Sequence, residues 1–535
     1  ASDAAGVAPG SNAPDWDDLS RSNNPVESVG TRTLRASDAD HNFQPYFDSF
    51  SATSHFKDSN SSLAPQNTFV STEMTMFAVS RINHATNDGR IMGMDDGNLN
   101  GGDPGLSIFD ASPRFHRLST SATIFTSPLD AVVDRSSVFS AYTAGTTLGV
   151  GLDGEYNTTS FTAGGGMTGD ILMIGYGNLT PAGALPGDLQ EVIWYKKTLS
   201  ATERKQVETY LALKHGITLG GNSGTSATYN YLNSAGITIW NKTTNSGYNN
   251  DIAGIGRDDG TALLQKQSNS VNASGSVTMA LGSIAASNAA NASTFSQDRS
   301  FLIWGHDGAS HQSIHNDPAC FTQLPTGVQA RIQRKWKVDR SNFAQTTSVG
   351  FSESALLGYT AVSNLRLLVD DDGVNWTNAT VYSGATVVGG RVVFSGVDFT
   401  AGNFFTLATI NYLSTPLPIE LLSFQGETMG AMNQLTWSTA TERNNDHFDL
   451  ERSDDGQSFR RIGILPAIGN SQQVTDYALL DERPLQGLNY YRLLQVDVDG
   501  ASTYSHVVAL TNASAEEQSC IVRTLDPEGL FALVC

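Results

Sequence analysis

The sequence predicts a mainly β protein, built from tandem β-sandwich domains with one short packed helix. Eight Asp-Gly dipeptides interrupt the chain, and this pair suits tight hairpins because both residues tolerate positive φ. Short apolar runs such as Met74–Ser80 and Leu189–Tyr195 lie between these turns, with the spacing of a sandwich or jelly roll. A single segment, Ser200–His215, has helical periodicity instead.

That segment carries helix signals at both ends. Ser200 and Glu203 have the spacing of a capping box, in which the serine accepts the Glu203 N–H and the glutamate bonds back. Gly216 follows as a typical left-handed terminator. We expect the helix, over residues 200–215, to pack across one end of the first sandwich and to mark the end of a first domain, residues 1–219.

The rest of the chain divides by composition. The Gly-, Ser- and Thr-rich stretch 220–236 predicts a long loop, which opens a β-rich middle domain over residues 220–412. Residues 415–418 contain two prolines and predict a stiff hinge, because proline fixes φ and cannot donate to a sheet. A small sandwich over 413–511 follows, and residues 512–535 form a tail or the start of a truncated further region.

Length and charge limit the function. A chain of 535 residues exceeds what one hydrophobic core usually serves, so three or four domains are expected. The formal net charge of −21 disfavours nucleic acid and anionic membranes as partners, because both are negatively charged themselves. No run reaches the roughly 18 apolar residues of a membrane helix, so membrane insertion is not expected.

The cysteines do not define a scaffold. Cys320, Cys520 and Cys535 match no metal-knuckle spacing, and their odd number leaves at least one thiol unpaired within the chain. The sequence leaves open whether Cys520 and Cys535 form a disulfide bond. No signal peptide is visible at Ala1, so an exported protein would be represented here in its mature form.

The third domain resembles a known module. Its motifs are Leu417–Phe424, Leu435–Glu442, His447–Ser453 and Asn489–Gly500. In this order they are similar to the fibronectin-III-like (Ig-like) sandwich that precedes the sorting domain of Bacteroidota proteins exported by type IX secretion. The resemblance implies a secreted protein of the extracellular cell surface.

The first two domains resemble parts of the same surface proteins. Residues Gly187–Tyr195 and Tyr210–Leu219 are similar to a laminin-G or concanavalin-A-like jelly roll. Residues Asp251–Gly260, Phe301–Asp307 and Leu367–Gly373 are similar to an uncharacterised domain that follows it. The resemblance implies an adhesin-like protein and transfers no catalytic residues.

One departure from that jelly-roll pattern suggests an assembly edge. An apolar strand usually precedes the segment that matches Ala4, Ala5, Gly6 and Val7, and here the chain starts after it. A missing edge strand leaves backbone groups unpaired, and another segment can fill the slot. We expect either a neighbouring subunit or the chain's own tail there, unless the strand is simply dispensable.

Two kinds of metal site are candidates. Calcium binds six to eight oxygens, which an acidic loop could supply in the first domain: Asp95, Asp96, Asn98, Asn100 and Asp103. A second acidic loop, Asp370–Asp372, is better explained as a plain hairpin turn. His306, His311 and His315 are a zinc candidate, although surrounding Gly, Ser, Asn and Pro residues favour solvated loop histidines.

Enzyme motifs are absent from the sequence. There is no Gly-x-Ser-x-Gly elbow, His-Glu-x-x-His, phosphate loop or dinucleotide fingerprint. Trp194, Trp304, Trp336 and Trp437 lie in strand-like runs and are expected in the core. The chain is therefore predicted to be a non-enzymatic structural or adhesive surface protein, either a surface adhesin or a repeating subunit of a surface fibre or filament, whose partners are its own copies or other surface proteins. A carbohydrate-binding module that uses the jelly-roll rim is the alternative, and a glycan-degrading enzyme is third.

Overall fold

The computed structural model of the chain describes the following residues: 15–16, 26–29, 34–48, 50–51, 55–57, 73–83, 89–95, 103–109, 111–118, 123–160, 171–177, 183–220, 229–272, 274–311, 313–314, 323–353, 356, 361–411, 421–430, 432–439, 445–469, 475–497, 502–505, 507–512, 521–524 and 531–534. The chain divides into two compact units, residues 1–417 and 418–535. Strands account for 54% and helices for 7% of the structure, so the predicted mainly β class is confirmed.

The first sandwich consists of two antiparallel sheets. Its strands are β1 (Asp15–Trp16), β2 (Val26–Val29), β3 (Leu34–Arg35), β4 (Tyr46–Phe47), β5 (His55–Lys57), β6 (Met74–Ile82), β7 (Gly89–Asp95), β8 (Asp103–Phe109), β9 (Ser112–Leu118), β10 (Thr123–Thr126), β11 (Ser136–Ala144), β12 (Thr147–Leu152), β13 (Glu155–Ser160), β14 (Ile171–Ile174), β15 (Tyr176–Gly177), β16 (Gly183–Ala184) and β17 (Gly187–Tyr195). One sheet has the order β1-β2-β5-β14-β7-β8-β9-β10, the other β13-β12-β11-β6-β17-β4-β3, and β15 pairs with β16.

The seven-stranded sheet of this sandwich is buried on both faces. Along β6, Met76 and Ala78 point into the core between the two sheets, while Phe77 and Val79 point into a second core on the opposite face. Successive side chains of a strand point to opposite faces, so both sets are apolar only when both faces are covered. This double burial explains the continuous apolar run in β6.

Helix α1 (Ala201–His215) follows β17 and is the single α-helix among the described residues. Its capping box is formed as predicted, with the Glu203 N–H donating to Ser200 and the Glu203 carboxylate accepting the Ser200 N–H. Gly216 ends it with φ 68°. These local sequence signals are confirmed.

The middle sandwich follows the helix. Its strands are β18 (Tyr231–Leu232), β19 (Thr238–Trp240), β20 (Asn250–Asp258), β21 (Leu263–Gln265), β22 (Gln267–Asn269), β23 (Val277–Leu281), β24 (Ser300–His306), β25 (Ser313–Ile314), β26 (Ala330–Ile332), β27 (Trp336–Ser341), β28 (Thr347–Ser352), β29 (Leu365–Asp370), β30 (Thr380–Tyr382), β31 (Thr386–Val388), β32 (Arg391–Val397) and β33 (Phe404–Thr409). Short 3₁₀ turns lie at Val362–Asn364, Trp376–Asn378 and Phe399–Ala401. One sheet has the order β21-β20-β24-β27-β33-β26-β25, with β29 pairing β33 and β30, and the other has the order β22-β23-β28-β32-β31.

Helix α1 lies between the first and middle sandwiches rather than across one end of the first. Leu211 and Leu213 of the helix share one hydrophobic cluster with Phe77 of the first sandwich and with Trp240 and Ile303 of the middle sandwich. The helix therefore contributes to a core that both sandwiches need, which we call the helix junction. The sequence could not show this packing, because the helix contacts residues that are far from it along the chain. The domain boundary at residue 219 stays a prediction.

The last sandwich lies in the second unit. Its strands are β34 (Leu421–Met429), β35 (Met432–Thr439), β36 (Asn445–Ser453), β37 (Arg460–Pro466), β38 (Thr475–Asp481), β39 (Gly487–Asp497), β40 (Ser502–Tyr504) and β41 (Val508–Asn512), and a separate hairpin forms from β42 (Ile521–Thr524) and β43 (Phe531–Val534). The sheet β34-β35-β38 faces a sheet in which β37, β36, β39 and β40 are adjacent and β41 also pairs with β39. Trp437 is buried between them and stacks on Tyr477 with ring centroids 5.5 Å apart.

Most of the predicted tryptophans lie in cores. Trp304, Trp336 and Trp437 are each 1% exposed, which confirms their predicted packing role. Trp194 is partly buried against the core of the first sandwich.

Gly216 offers a test of the helix junction. A Cβ at this position would lie 2.2 Å from the carbonyl oxygen of Asn269, at a positive φ. We expect Gly216→Ala to destabilise the first unit by roughly 3 kcal/mol or more in urea denaturation, because a clash adds to the backbone strain. Gly247→Ala is the matched control, with positive φ and no atom within 4 Å, and should cost only about 1 kcal/mol. Equal losses would show that the close approach is unimportant.

Candidate functional site

Several predicted site residues lie outside the described residues. The backbones of Asp95 and Asp103 end β7 and begin β8, but their side chains are not described. The others outside the description are Asp96, Asn98, Asn100, His315, Ala4, Ala5, Gly6, Val7, Cys320, Cys520 and Cys535. The calcium loop, the assembly edge and the complete histidine cluster therefore stay predictions.

His306 ends β24 and is held by two hydrogen bonds. Its Nε2 lies 2.7 Å from Oδ2 of Asp251, and its Nδ1 accepts the N–H of Gly308 at 2.9 Å. Since Nδ1 is the acceptor, the ring proton belongs on Nε2 and is donated to the carboxylate. No lone pair of His306 is left for a metal ion in this arrangement.

His311 lies near His306 but has a different partner. Its Nε2 is 2.8 Å from the hydroxyl of Ser276, and both histidine rings have centroids 6.1 Å from that of Trp336. Burial, followed by the positive charge of Arg334, lowers the pKa of His311 to about 3. An imidazole with so low a pKa is a weak base at neutral pH, so this Ser-His pair is poorly suited to activating a nucleophile.

Arg334 completes a closed polar network around these histidines. Its Nε donates to the Ala309 carbonyl at 2.6 Å and its Nη1 to the Ser274 carbonyl at 3.1 Å. The Ser274 hydroxyl donates to Asp251 at 2.7 Å, which returns the network to His306. The donors and acceptors of the cluster thus bond mainly to one another, as expected for a structural network.

A second polar network lies at the C-terminal end of α1. Glu191 accepts from the Tyr210 hydroxyl at 2.8 Å, from Lys214 at 2.9 Å and from His215 at 2.9 Å. Burial alone would raise the pKa of Glu191, but the Lys214 charge and the His215 hydrogen bond hold it well below its usual range. Burial lowers the pKa of His215 to about 4, and its neutral Nδ1 is 3.1 Å from the Gln190 amide nitrogen.

Sequence reasoning missed this network. The available signal was Glu191 itself, a single charged residue inside the apolar strand run Leu189–Tyr195. A buried carboxylate needs hydrogen-bond donors or a positive charge beside it. Helix α1 supplies both, from residues that the sequence indicated only as part of a helix.

A third polar cluster, in the first sandwich, surrounds the buried ring of His41, whose partner Asp38 has a side chain that is 46% exposed. His41 is 0% exposed, lies 2.8 Å from Asp38 and 3.2 Å from Asp188, and stacks on Tyr46. Burial would lower the pKa of His41, but the hydrogen bonds with Asp188 and Asp38 outweigh it and raise the pKa. The network therefore favours the imidazolium.

The loop Asp370–Asp372 brings three carboxylates together at the end of β29. One oxygen of each lies within 4.8 Å of the others. Oδ2 of Asp370 accepts the N–H groups of Asp372 and Gly373 at 3.1 and 2.7 Å, which forms the predicted turn. Oδ1 of Asp370 is buried and has no hydrogen-bond partner, and burial raises the pKa of this carboxyl.

Residues 374–390, which we call the valine edge, follow this loop directly and contain no charged residue. They include β30 and β31, and among the described residues β30 pairs only with β29 and β31 only with β32. Strand β30 is therefore an edge strand of one sheet of the middle sandwich, and β31 is an edge strand of the other. Val374, Val381, Val387 and Val388 are 64%, 40%, 49% and 46% exposed.

Comparisons with known proteins found one matching family model and partial matches to solved structures. Residues 203–403 match the model of a family described as Domain of unknown function (DUF8202). This range takes in most of α1 and most of the middle sandwich. No curated protein matches the sequence.

Three solved structures are among the partial matches to this chain. The sialidase carbohydrate-binding module CBM40 of Ruminococcus gnavus, bound to α2,3-sialyllactose, is 14% identical, with 29% of this chain and 91% of that chain covered at a TM-score of 0.25. The heptameric SAP-like pentraxin of Limulus polyphemus is 14% identical over 27% and 73% of the two chains, with a TM-score of 0.23. Domain 4 of the extracellular arabinanase AbnA of Geobacillus stearothermophilus, with arabinotriose, is 12% identical over 32% and 79%, with a TM-score of 0.25. Similarity at this level transfers no activity to this chain.

In the part of the chain that the structure describes, no helix has both the length and the apolar character needed to span a membrane.

Glu208 of α1 gives a pH test of the helix junction. Its carboxyl is fully buried and accepts the Tyr156 hydroxyl at 2.6 Å, and burial raises the pKa of Glu208 to about 8 from 4.5. Because the folded pKa is the higher one, the carboxyl favours folding below about pH 4.5, and this contribution is lost as pH rises towards 8. We expect wild type to lose stability relative to Glu208→Gln by up to roughly 1.4 kcal/mol per pH unit in that window.

The measurement is urea denaturation of both proteins at pH 5, 6, 7 and 8. The amide of Glu208→Gln cannot ionise, so its stability profile should be the flatter one. Parallel profiles would mean that Glu208 does not change its protonation on folding.

Proposed function

We propose that this protein is an extracellular structural or adhesive protein of a bacterial cell surface that associates with its own copies through the valine edge. The observation that carries the proposal is an exposed, uncharged pair of edge strands on a strongly acidic chain. The extracellular location proposed for the protein rests on its sequence resemblance to exported surface proteins.

Charge favours this segment as the contact between copies. A net charge of −21 makes copies repel one another over most of their surface. The valine edge has no charge of its own, so its residues add no repulsion when two copies approach. Two copies of one edge strand can also pair antiparallel about a two-fold axis, which makes the contact self-complementary.

The valine edge also contains no lysine and no proline. Natural edge strands are commonly blocked by lysine, proline or a covering segment, because their free N–H and C=O groups attract other strands. In β31, Thr386, Val387 and Val388 are all exposed, and β-branched residues have high strand propensity. A second strand added here gains main-chain hydrogen bonds and apolar contact together.

The helix junction suits a structural role. Because the first and middle sandwiches share the core around α1, force applied to one of them reaches the other through packed side chains rather than through a flexible linker. A stiff body of this kind is what a fibre subunit or a stalk requires.

The polar clusters support a non-enzymatic role. His306 has both ring nitrogens engaged, and burial leaves His311 too weak a base to act at neutral pH. The buried Glu191 network likewise satisfies its own members. Glycan binding at the rim of the first sandwich stays a prediction, and loss of glycan-array binding in Asp95→Ala or Asp103→Ala would support it.

Self-association is tested by placing a charge on the edge. In sedimentation velocity across a concentration series, Val387→Lys and Val387→Asp should each weaken self-association at least tenfold, because like charges then face each other across the two-fold contact. Val132→Lys is the matched control, since Val132 is exposed to 53% on the first sandwich, and should associate like wild type.

Adhesion on cells gives the functional readout. The producing bacterium should lose surface adhesion or fibres when its protein carries Val387→Lys, and keep them with Val132→Lys. A wild-type protein that stays monomeric at high concentration and shows no effect of either variant on cells would overturn the proposal.

A further inference from the structure

We propose that Asp370, Asp371 and Asp372 form a calcium site at the end of β29, between the middle sandwich core and the start of the valine edge. The site stands independently of the proposed surface function. It rests on the buried, unpartnered oxygen of Asp370 and on a second turn in the same chain.

That second turn is Ser453–Gly456 in the last sandwich, which has nearly the same hydrogen bonds. The Ser453 hydroxyl accepts the N–H groups of Asp455 and Gly456 at 3.2 and 2.9 Å. Oδ2 of Asp370 does the same for Asp372 and Gly373. A single oxygen at the first position is therefore sufficient to form this turn.

The third position of each turn is also equivalent. Oδ1 of Asp372 accepts from Val374 and Asn375 at 2.6 and 3.0 Å, while Oδ1 of Asp455 accepts from Gln457 and Ser458 at 2.8 and 2.7 Å. The two turns differ at the first side chain, because the Ser453 hydroxyl also donates to Oδ1 of Asp455 at 2.7 Å, whereas an ionised Asp370 has no proton to donate to Asp372. Asp370 brings one oxygen, and one negative charge, more than the turn uses.

The extra oxygen is placed where it needs a cation. Asp370 is 1% exposed and its Oδ1 has no hydrogen-bond partner, and a buried carboxylate without a partner is strongly unfavourable. The nearby Lys335 amine donates to the Gly373 carbonyl at 3.2 Å instead. One oxygen of each of the three carboxylates lies within 4.8 Å of the others, so a cation bound by all three would offset their repulsion and compensate the buried charge of Asp370.

The ligand chemistry favours calcium among metal ions. The cluster offers only carboxylate oxygens, which are hard ligands, and no nitrogen or sulfur for zinc. Asp371 and Asp372 are exposed, so waters can complete the six to eight ligands that calcium accepts. With three protein carboxylates and an open side, we expect the weak affinity of extracellular modules, on the order of 10⁻⁴ to 10⁻³ M.

Terbium luminescence and calcium calorimetry on the full chain test the site. Trp376 lies in the 3₁₀ turn after the loop, and Phe404 packs against both Gly373 and the Trp376 cluster. Terbium bound here should therefore be sensitised by Trp376, be displaced by calcium, and lose its signal in Trp376→Phe. Isothermal titration with calcium chloride measures the same site without terbium.

The deciding variant is Asp370→Ser, which copies the Ser453 turn and should keep the fold. We expect it to weaken calcium and terbium binding at least tenfold, with unchanged circular dichroism and a urea midpoint no lower than that of wild type in calcium-free buffer, because a serine hydroxyl can donate to Asp372 as Ser453 does to Asp455. Asp454→Asn, in the turn that already has serine, is the matched control and should bind like wild type.

Two results would overturn the site. One is equal calcium affinity in wild type and Asp370→Ser, which would place bound calcium elsewhere on the acidic surface. The other is no calcium binding by wild type at 10 mM, roughly ten times the weakest expected dissociation constant, which would mean that a shared proton satisfies Asp370. Neither result bears on self-association, which the Val387 variants measure.

Discussion

The packing of helix α1 against two sandwiches is the constraint on which the first unit depends. The helix is only 15 residues long, and isolated helices of this length are marginal in water. It is stabilised because Leu211 and Leu213 enter a core that also contains residues from both sandwiches. In return, the helix covers the second face of the seven-stranded sheet, which would otherwise expose Phe77 and Val79.

Burial of polar groups follows from the same arrangement. Covering the sheet with α1 removes Glu191, Glu208 and His215 from water, and each then needs a partner or a changed protonation state. Glu191 is satisfied by Lys214 and His215, whereas Glu208 is kept neutral by burial around neutral pH. The junction is therefore sensitive to pH at its carboxylates.

The sequence predicted the elements whose determinants are local. The capping box at Ser200, the terminator Gly216 and the buried Trp437 all depend on a few neighbouring residues or on strand periodicity, and the structure confirms them. The helix junction could not be predicted in the same way, because Phe77, Leu213 and Ile303 are far apart in sequence and meet only in the folded chain.

The candidate sites show the same limit. In the sequence, the turns at Asp370 and Ser453 are both followed by Asp-Asp-Gly, and a plain hairpin was the natural interpretation of each. Burial of the Asp370 Oδ1 atom distinguishes them, and burial is a tertiary property. For the histidines, the sequence favoured solvated loop positions, whereas His306 is buried at the end of β24 and its Nε2 is engaged by Asp251 of the neighbouring strand β20, 55 residues earlier in the chain.

Hydrogen exchange across a denaturant series tests the shared core most directly. If α1 joins the two sandwiches into one folding unit, the most protected amides of β11, α1 and β24 should exchange through a common opening, with the same free energy and the same denaturant dependence. Exchange of β11 through a separate, lower-energy opening, while α1 and β24 stay protected, would contradict a core that both sandwiches need.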